Sequence, residues 1–139
     1  GLPRLERALM AFPKLTFIGH SQPFWAELGA NVISGGARIG YPEGKVTPGR
    51  LVELLRKYSN LHADLSARSG YNAITRDLDF GLAFLEEFQE RLFFATDIAN
   101  DPQELPIVPF FADLRAKGRI STEAWEKIAW RNAERVLGL

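Results

Sequence analysis

Apolar residues recur along this chain with two different spacings, and the alternation between them lays out its architecture. Three short runs of strand length are dense in apolar residues: Leu15 to His20, Leu61 to Ser66, and Arg91 to Asp97. Around them the spacing lengthens to three and four, which marks one face of a helix. Leu2, Leu5 and Leu9 form such a stripe, stopped by Phe12-Pro13. Leu51, Leu54, Leu55 and Tyr58 form another within Gly49 to Tyr58, between a Thr47-Pro48 start and a Ser59-Asn60 stop. Leu78, Leu82, Leu85 and Phe88 form a third, with the acids Glu86, Glu87 and Glu90 mainly opposite. Ile107 to Ala116 follows. A last helix, Thr122 to Leu137, carries Trp125, Ile128, Ala129 and Val136 behind a Ser121 N-cap. Helices alternating with strands predict parallel βαβ units, an α/β fold occupying residues 1–139 as one domain. The Gly-rich stretch Ala30 to Thr47 has no period and predicts a long loop at the C-terminal edge of the sheet.

Splitting each strand by its period of two sharpens the picture. Leu15, Phe17 and Gly19 share one face of the first strand; Thr16, Ile18 and His20 share the other. In the second, Leu61, Ala63 and Leu65 oppose His62, Asp64 and Ser66. In the third, Leu92, Phe94 and Thr96 oppose Phe93, Ala95 and Asp97. One face suits helix packing, while the other carries two His, two Asp and a Ser. A sheet covered by helices on both faces would leave that polar row hard to satisfy. In a closed barrel the same row lines the lumen, and groups ending the strands point into the mouth.

Composition narrows the function. Lys+Arg and Asp+Glu both number 17, so charge gives no reason to expect nucleic acid or an anionic membrane as partner. The absence of Cys excludes disulfides, thiolate zinc sites and Cys nucleophiles, and suits a reducing, cytoplasmic setting. No apolar run approaches the roughly 20 residues that span a bilayer, and Gly1 to Met10 lacks a signal peptide's apolar core. That segment reads as a helix entered in mid-course, which points to a truncated parent.

His20 and Asp97 each close a strand, and two readings of them stand side by side. Imidazole and carboxylate both suit zinc, and an Asp beside a bound water can take its proton. Alternatively His20 is a hydrogen-bonded strand-end residue and Asp97 caps a turn. His62 and Asp64, two apart on one face, predict a structural hydrogen bond with each other. Ser66 lacks the glycines of a nucleophile elbow, which argues against a serine hydrolase. Gly35-Gly36, Gly40 and Gly44-Lys45 fail as a phosphate loop, because three residues separate Gly40 from Gly44 and Val46 replaces the needed Ser or Thr. Phe24, Trp25, Phe93 and Phe94 read as core or pocket wall, and Pro109-Phe110-Phe111 as part of a packed helix. Arg38, Lys45, Arg68 and Arg76 are candidate partners for a substrate carboxylate, although solvated loop charge accounts for most of them. A receiver-like domain phosphorylated on Asp97 would need an acidic pocket and a strand-closing Lys, and the sequence has neither.

Phe17-Ile-Gly-His20 with Phe24-Trp25-Ala-Glu27 resembles the sixth strand and following loop of the amidohydrolase-related family of metal-dependent hydrolases. That family includes decarboxylases of the aminocarboxymuconate semialdehyde type. Tyr58-Ser-Asn-Leu-His-Ala-Asp64-Leu-Ser66-Ala and Ser69-Gly-Tyr-Asn-Ala73 resemble its seventh strand and loop, Arg91-Leu-Phe-Phe-Ala-Thr-Asp97 its eighth, and Asn132-Ala-Glu-Arg-Val-Leu-Gly-Leu139 its closing helix. The resemblance implies the C-terminal part of a (β/α)8 TIM barrel, strands six to eight with their helices. It implies a divalent metal, with zinc favoured, Asp97 as its carboxylate ligand and proton acceptor, and His20 as a group orienting water or substrate or itself a ligand. Metal-activated water attacking a carbonyl-type carbon of a small-molecule substrate would be the reaction, and decarboxylation the alternative. The family's first-strand His-x-His pair and fifth-strand His have no counterpart here, since no His precedes His20. The expectation is therefore an incomplete site that is inactive alone. A different class of reading is a non-catalytic assembly module that pairs with the missing barrel half or with a second copy.

Overall fold

The two spacings become helices and parallel strands in the computed structural model, which describes residues 1–30 and 40–139. Helix α1 (Pro3–Ala11) opens on a proline, whose fixed φ suits a first turn, and ends before Pro13. Then come β1 (Phe17–Gly19), α2 (Gln22–Ala26), α3 (Arg50–Lys57), β2 (Leu61–Asp64), α4 (Ala67–Thr75), α5 (Leu78–Glu87) and β3 (Leu92–Phe93). Helices α6 (Ile107–Ala116), α7 (Thr122–Glu126) and α8 (Asn132–Leu137) complete the order. The three strands form one parallel sheet in the order β1-β2-β3. The Asn60 side-chain amide gathers the carbonyls of Leu9, Phe12 and Leu15 at 3.2, 3.2 and 3.3 Å, tying the end of α1 to the start of β1.

The apolar stripes do what their spacing predicts. Leu51, Leu54 and Leu55 of α3 are fully buried, as are Leu61, Ala63 and Leu65 on the matching face of β2 and Leu92 of β3. Each such leucine contributes about 1.5–3 kcal/mol relative to exposure. Phe24, Trp25 and Phe111 are core residues, as expected, and Phe93 is buried, whereas Phe94 and Phe110 pack against the core while partly exposed.

Several expectations are corrected. Ser69 to Ala73, which resembles the loop after the family's seventh strand, lies in helix α4, and Phe24 to Ala26, which resembles the loop after the sixth, lies in α2. The packing face of α4 is built from small residues: Ser69, Gly70 and Ala73 are buried beside Ile74. A Cβ on Gly70 would lie 2.4 Å from the backbone of Leu65, so glycine is what lets α4 sit against the end of β2. A leucine-counting pattern does not register such a face. The final helix is interrupted by a wider π-type turn, Lys127–Arg131. The third strand is shorter than expected, Leu92–Phe93, so Asp97 does not close it but lies four residues beyond its end; on the strand's outer side the Phe94 N–H donates to Ile128 O at 2.8 Å. Within 30–47, residues 40–47 form neither helix nor strand, and Gly35, Gly36 and Arg38 lie outside the described residues. No helix among the described residues is long and apolar enough to cross a membrane.

Candidate functional site

Of the polar row derived from strand alternation, His20, Asp64, Ser66 and Asp97 line one cleft, and His62 does not. The walls of the cleft are Ile18 and His20 from the first strand and the residues after it, Asp64 and Ser66 likewise from the second, Phe93, Ala95 and Asp97 likewise from the third, with Phe94, Ala133 and Leu137 completing it. The volume is about 460 Å³. Parallel register explains the convergence. Phe17, Ile18 and Gly19 stand opposite Leu61, His62 and Ala63, so the next step of the ladder sets His20 level with Asp64.

His20 is the centre of the arrangement. Its Nδ1 is 3.0 Å from Asp64 Oδ1 and 3.2 Å from Ser66 Oγ, and its Nε2 is 3.8 Å from Asp97 Oδ2. Asp64 Oδ1 also accepts the Ser66 N–H at 3.1 Å and a short hydrogen bond from the Ser66 hydroxyl. Trp25 Nε1 donates to Asp64 O at 3.1 Å, fastening the backbone of Asp64 from the core side. Gly19 makes this possible next door, since a Cβ there would overlap the Phe24 ring at 2.1 Å. His20 and Asp97 are both open to solvent, with side chains 41% and 55% exposed.

The expected bond between His62 and Asp64 is not made. Residues two apart on a strand are separated by about 6.6 Å, while cross-strand neighbours are about 4.8 Å apart, so His20 takes Asp64. His62 is instead buried against Phe93, ring centroids 5.7 Å apart, and its Nδ1 has no hydrogen-bond partner. Burial, then the charges of Arg135 and Arg91, hold its pKa below the ordinary histidine value, outweighing a backbone hydrogen bond at Asn60.

Backbone strain gathers around the cleft. Among the described residues, four non-glycine residues have φ in the left-handed region, and three of them lie in the segments that follow the strands: Ser21 (89°), Ala67 (57°) and Asp97 (55°). Such conformations cost about 1–3 kcal/mol each and cluster where geometry serves function. Asp97 is further braced by Gln103, which donates to Asp97 O at 2.9 Å and accepts from Ala99 N at 2.9 Å.

The other candidate cations lie elsewhere, and none of Lys45, Arg68 and Arg76 lines the cleft. Lys45 is paired with Asp77 at 2.9 Å, which also accepts from Val46 N. Arg68 stacks over Tyr41 at 5.0 Å. The Arg76 guanidinium is buried without a hydrogen-bond partner, and burial lowers its pKa.

With this geometry in view, the comparison with known proteins is decisive on one point. The family model described as Amidohydrolase matches residues 2–139, essentially the whole chain. The chain belongs to the amidohydrolase family. No curated protein and no solved structure matches it. Amidohydrolase membership places hydrolase-like or related chemistry on this α/β scaffold. Members typically use a divalent metal, and the donor set tests that here. His20 Nε2 and Asp97 Oδ2 supply two donors at one mouth, while Asp64 is committed to His20 and Ser66. No group of three or more His, Cys, Asp or Glu suited to a metal occurs among the described residues. A catalytic zinc takes three protein ligands, so these residues alone do not fit one.

Asp64 and Ser66 are the partners that sequence reading missed. Their signal was present: Asp64 ends the second strand's polar row as His20 ends the first's, but only the register makes them neighbours.

Proposed function

We propose that this amidohydrolase chain is the C-terminal portion of a (β/α)8 barrel, its sixth to eighth strands, and that it contributes His20 and Asp97 to hydrolysis of a carbonyl-type carbon in a small molecule. The observation that carries this reading is the approach of His20 Nε2 and Asp97 Oδ2 to 3.8 Å across the mouth of one cleft, His20 directly after β1 and Asp97 in the segment that follows β3. In this reading Asp97 accepts the proton of the attacking water, and the His20 ring orients the water or polarises the scissile group. His20 and Asp97 would supply only part of the ligand set of a divalent ion, with zinc the expected identity, whose chemistry would be to activate the water; the remaining ligands would come from upstream strands.

The test is turnover of lactones, amides and aromatic carboxylates by the protein with its upstream barrel half present. Hydrolysis of one class is expected, falling about 10²–10⁴-fold in Asp97→Asn, the usual share of a general base. Unchanged turnover in that variant overturns the assignment. Release of CO2 from a carboxylate moves it to the decarboxylase branch.

A second reading is favoured by the free side of β1. Nothing among the described residues pairs with that edge, and Phe12, Leu15 and Ile18 beside it are exposed. The chain then acts as an assembly module, pairing through this edge with the missing half-barrel or with a second copy.

A further inference from the structure

We propose that Asp64, steered by Ser66, is a positioning residue that fixes neutral His20 as its Nδ1–H tautomer and turns the Nε2 lone pair toward Asp97. The inference rests on the reading of His20 as a residue of the reaction, and it adds which nitrogen acts and what holds it.

Proton accounting leads there. Asp64 Oδ1 faces three groups: the Ser66 N–H at 3.1 Å, the Ser66 hydroxyl in a short hydrogen bond, and His20 Nδ1 at 3.0 Å. The hydroxyl has one proton, and it goes to Asp64. Ser66 Oγ, 3.2 Å from Nδ1, is then left as an acceptor. Nδ1 therefore meets two acceptors and must carry a proton to meet either. An unprotonated Nδ1 would set a lone pair against a carboxylate at hydrogen-bond distance. Since one ring nitrogen of a neutral imidazole is protonated, Nε2 is the free base.

Ser66 itself points to the same arrangement. It occupies the N-cap position of α4, where serine is among the preferred residues, yet its side chain makes no cap hydrogen bond. Ser121, at the N-cap of α7, makes that bond in the ordinary way, accepting from Ala124 N at 3.1 Å. Ser66 gives up the cap to hold Asp64, and the Trp25 indole holds the same residue from behind at 3.1 Å. The result at the mouth is two facing acceptors, Nε2 and Asp97 Oδ2, separated by 3.8 Å. That gap is too wide for a direct hydrogen bond and is open to a species that brings a proton or positive charge.

The test reads the tautomer directly and needs no turnover. Long-range proton–nitrogen NMR correlation on the full chain, at a pH where His20 is neutral, distinguishes Nδ1–H from Nε2–H. The chain has only two histidines, so His62→Leu assigns the spectrum. Wild type is expected to be mostly Nδ1–H at His20. In Asp64→Ala the population shifts to mostly Nε2–H, the form histidine favours in water. Asp64→Asn keeps Nδ1–H, because the Ser66 N–H selects a carbonyl oxygen at that position. A wild-type ring that is mostly Nε2–H overturns the proposal whether or not any variant folds, as does a folded Asp64→Ala with an unmoved tautomer. Confirmed tautomers with a parent protein that hydrolyses nothing would leave the positioning intact and sink only the functional reading.

Discussion

The two edges of the sheet are treated in opposite ways. Along β3 the chain covers its own edge. Phe94 N–H donates to Ile128 O, the Asn132 amide donates to Gln89 O at 2.7 Å and Leu92 O at 2.8 Å, and Arg135 donates to Glu90 O at 2.6 Å. Along β1 the outer side carries no such cover among the described residues, and Leu15 is 55% and Ile18 43% exposed. A bare, apolar strand edge is a template for another strand, and proteins ordinarily blunt it with charge, proline or a covering element. The chain thus seals one side of its site and presents the other, with His20 on the strand that borders the open side.

Breaking the sealed edge should give the largest effect. Asn132 is 1% exposed and serves two backbone carbonyls at once. Asn132→Ala strands those acceptors and is expected to lower stability by about 2–3 kcal/mol, read as a shift in urea midpoint. A loss under about 0.5 kcal/mol would mean that the edge is not held this way.

His62 reports on the same side through pH. Its folded pKa is depressed by burial first and by Arg135 of α8 next. The unfolded chain therefore binds the proton more readily. Stability is complete above the ordinary value of about 6.5 and is lost as pH falls below it, with a slope of at most ~1.4 kcal/mol per pH unit for the one proton. Urea melts between pH 7.5 and 5 check this. His62→Leu should flatten this part of the profile, and Arg135→Met should weaken it.

The open edge should respond least in stability and most in association. Leu15→Lys combined with Ile18→Lys is expected to change folding free energy by less than about 0.5 kcal/mol. The wild-type chain is expected to self-associate with rising concentration in sedimentation velocity, and the double variant to stay monomeric. Equal behaviour of the two would remove the reason to regard β1 as a docking edge.

Much of this was legible in the residues. Strand alternation placed His20, Asp64, Ser66 and Asp97 on one face because side-chain direction is a local property of the backbone. Leucine spacing located α1, α3 and α5 for the same reason. Register is not local. Whether Asp64 meets His62 or His20 depends on how β1 and β2 slide against each other, and the sequence-based pairing was accordingly wrong. Helix α4 escaped notice because its buried face is made of Ser69, Gly70 and Ala73, whose packing works by closeness rather than by hydrophobic bulk. The turn of Ser66 away from its capping position shows only in three dimensions.

In the proposed reading this amidohydrolase chain carries part of a catalytic site, His20 and Asp97, and needs donors from across its open edge. Zinc content of the purified 139-residue chain tests it most directly. After equilibration with zinc and dialysis, elemental analysis should find well under one ion per chain, because two protein donors do not hold the ion tightly. One tightly held zinc per monomeric chain would contradict the account.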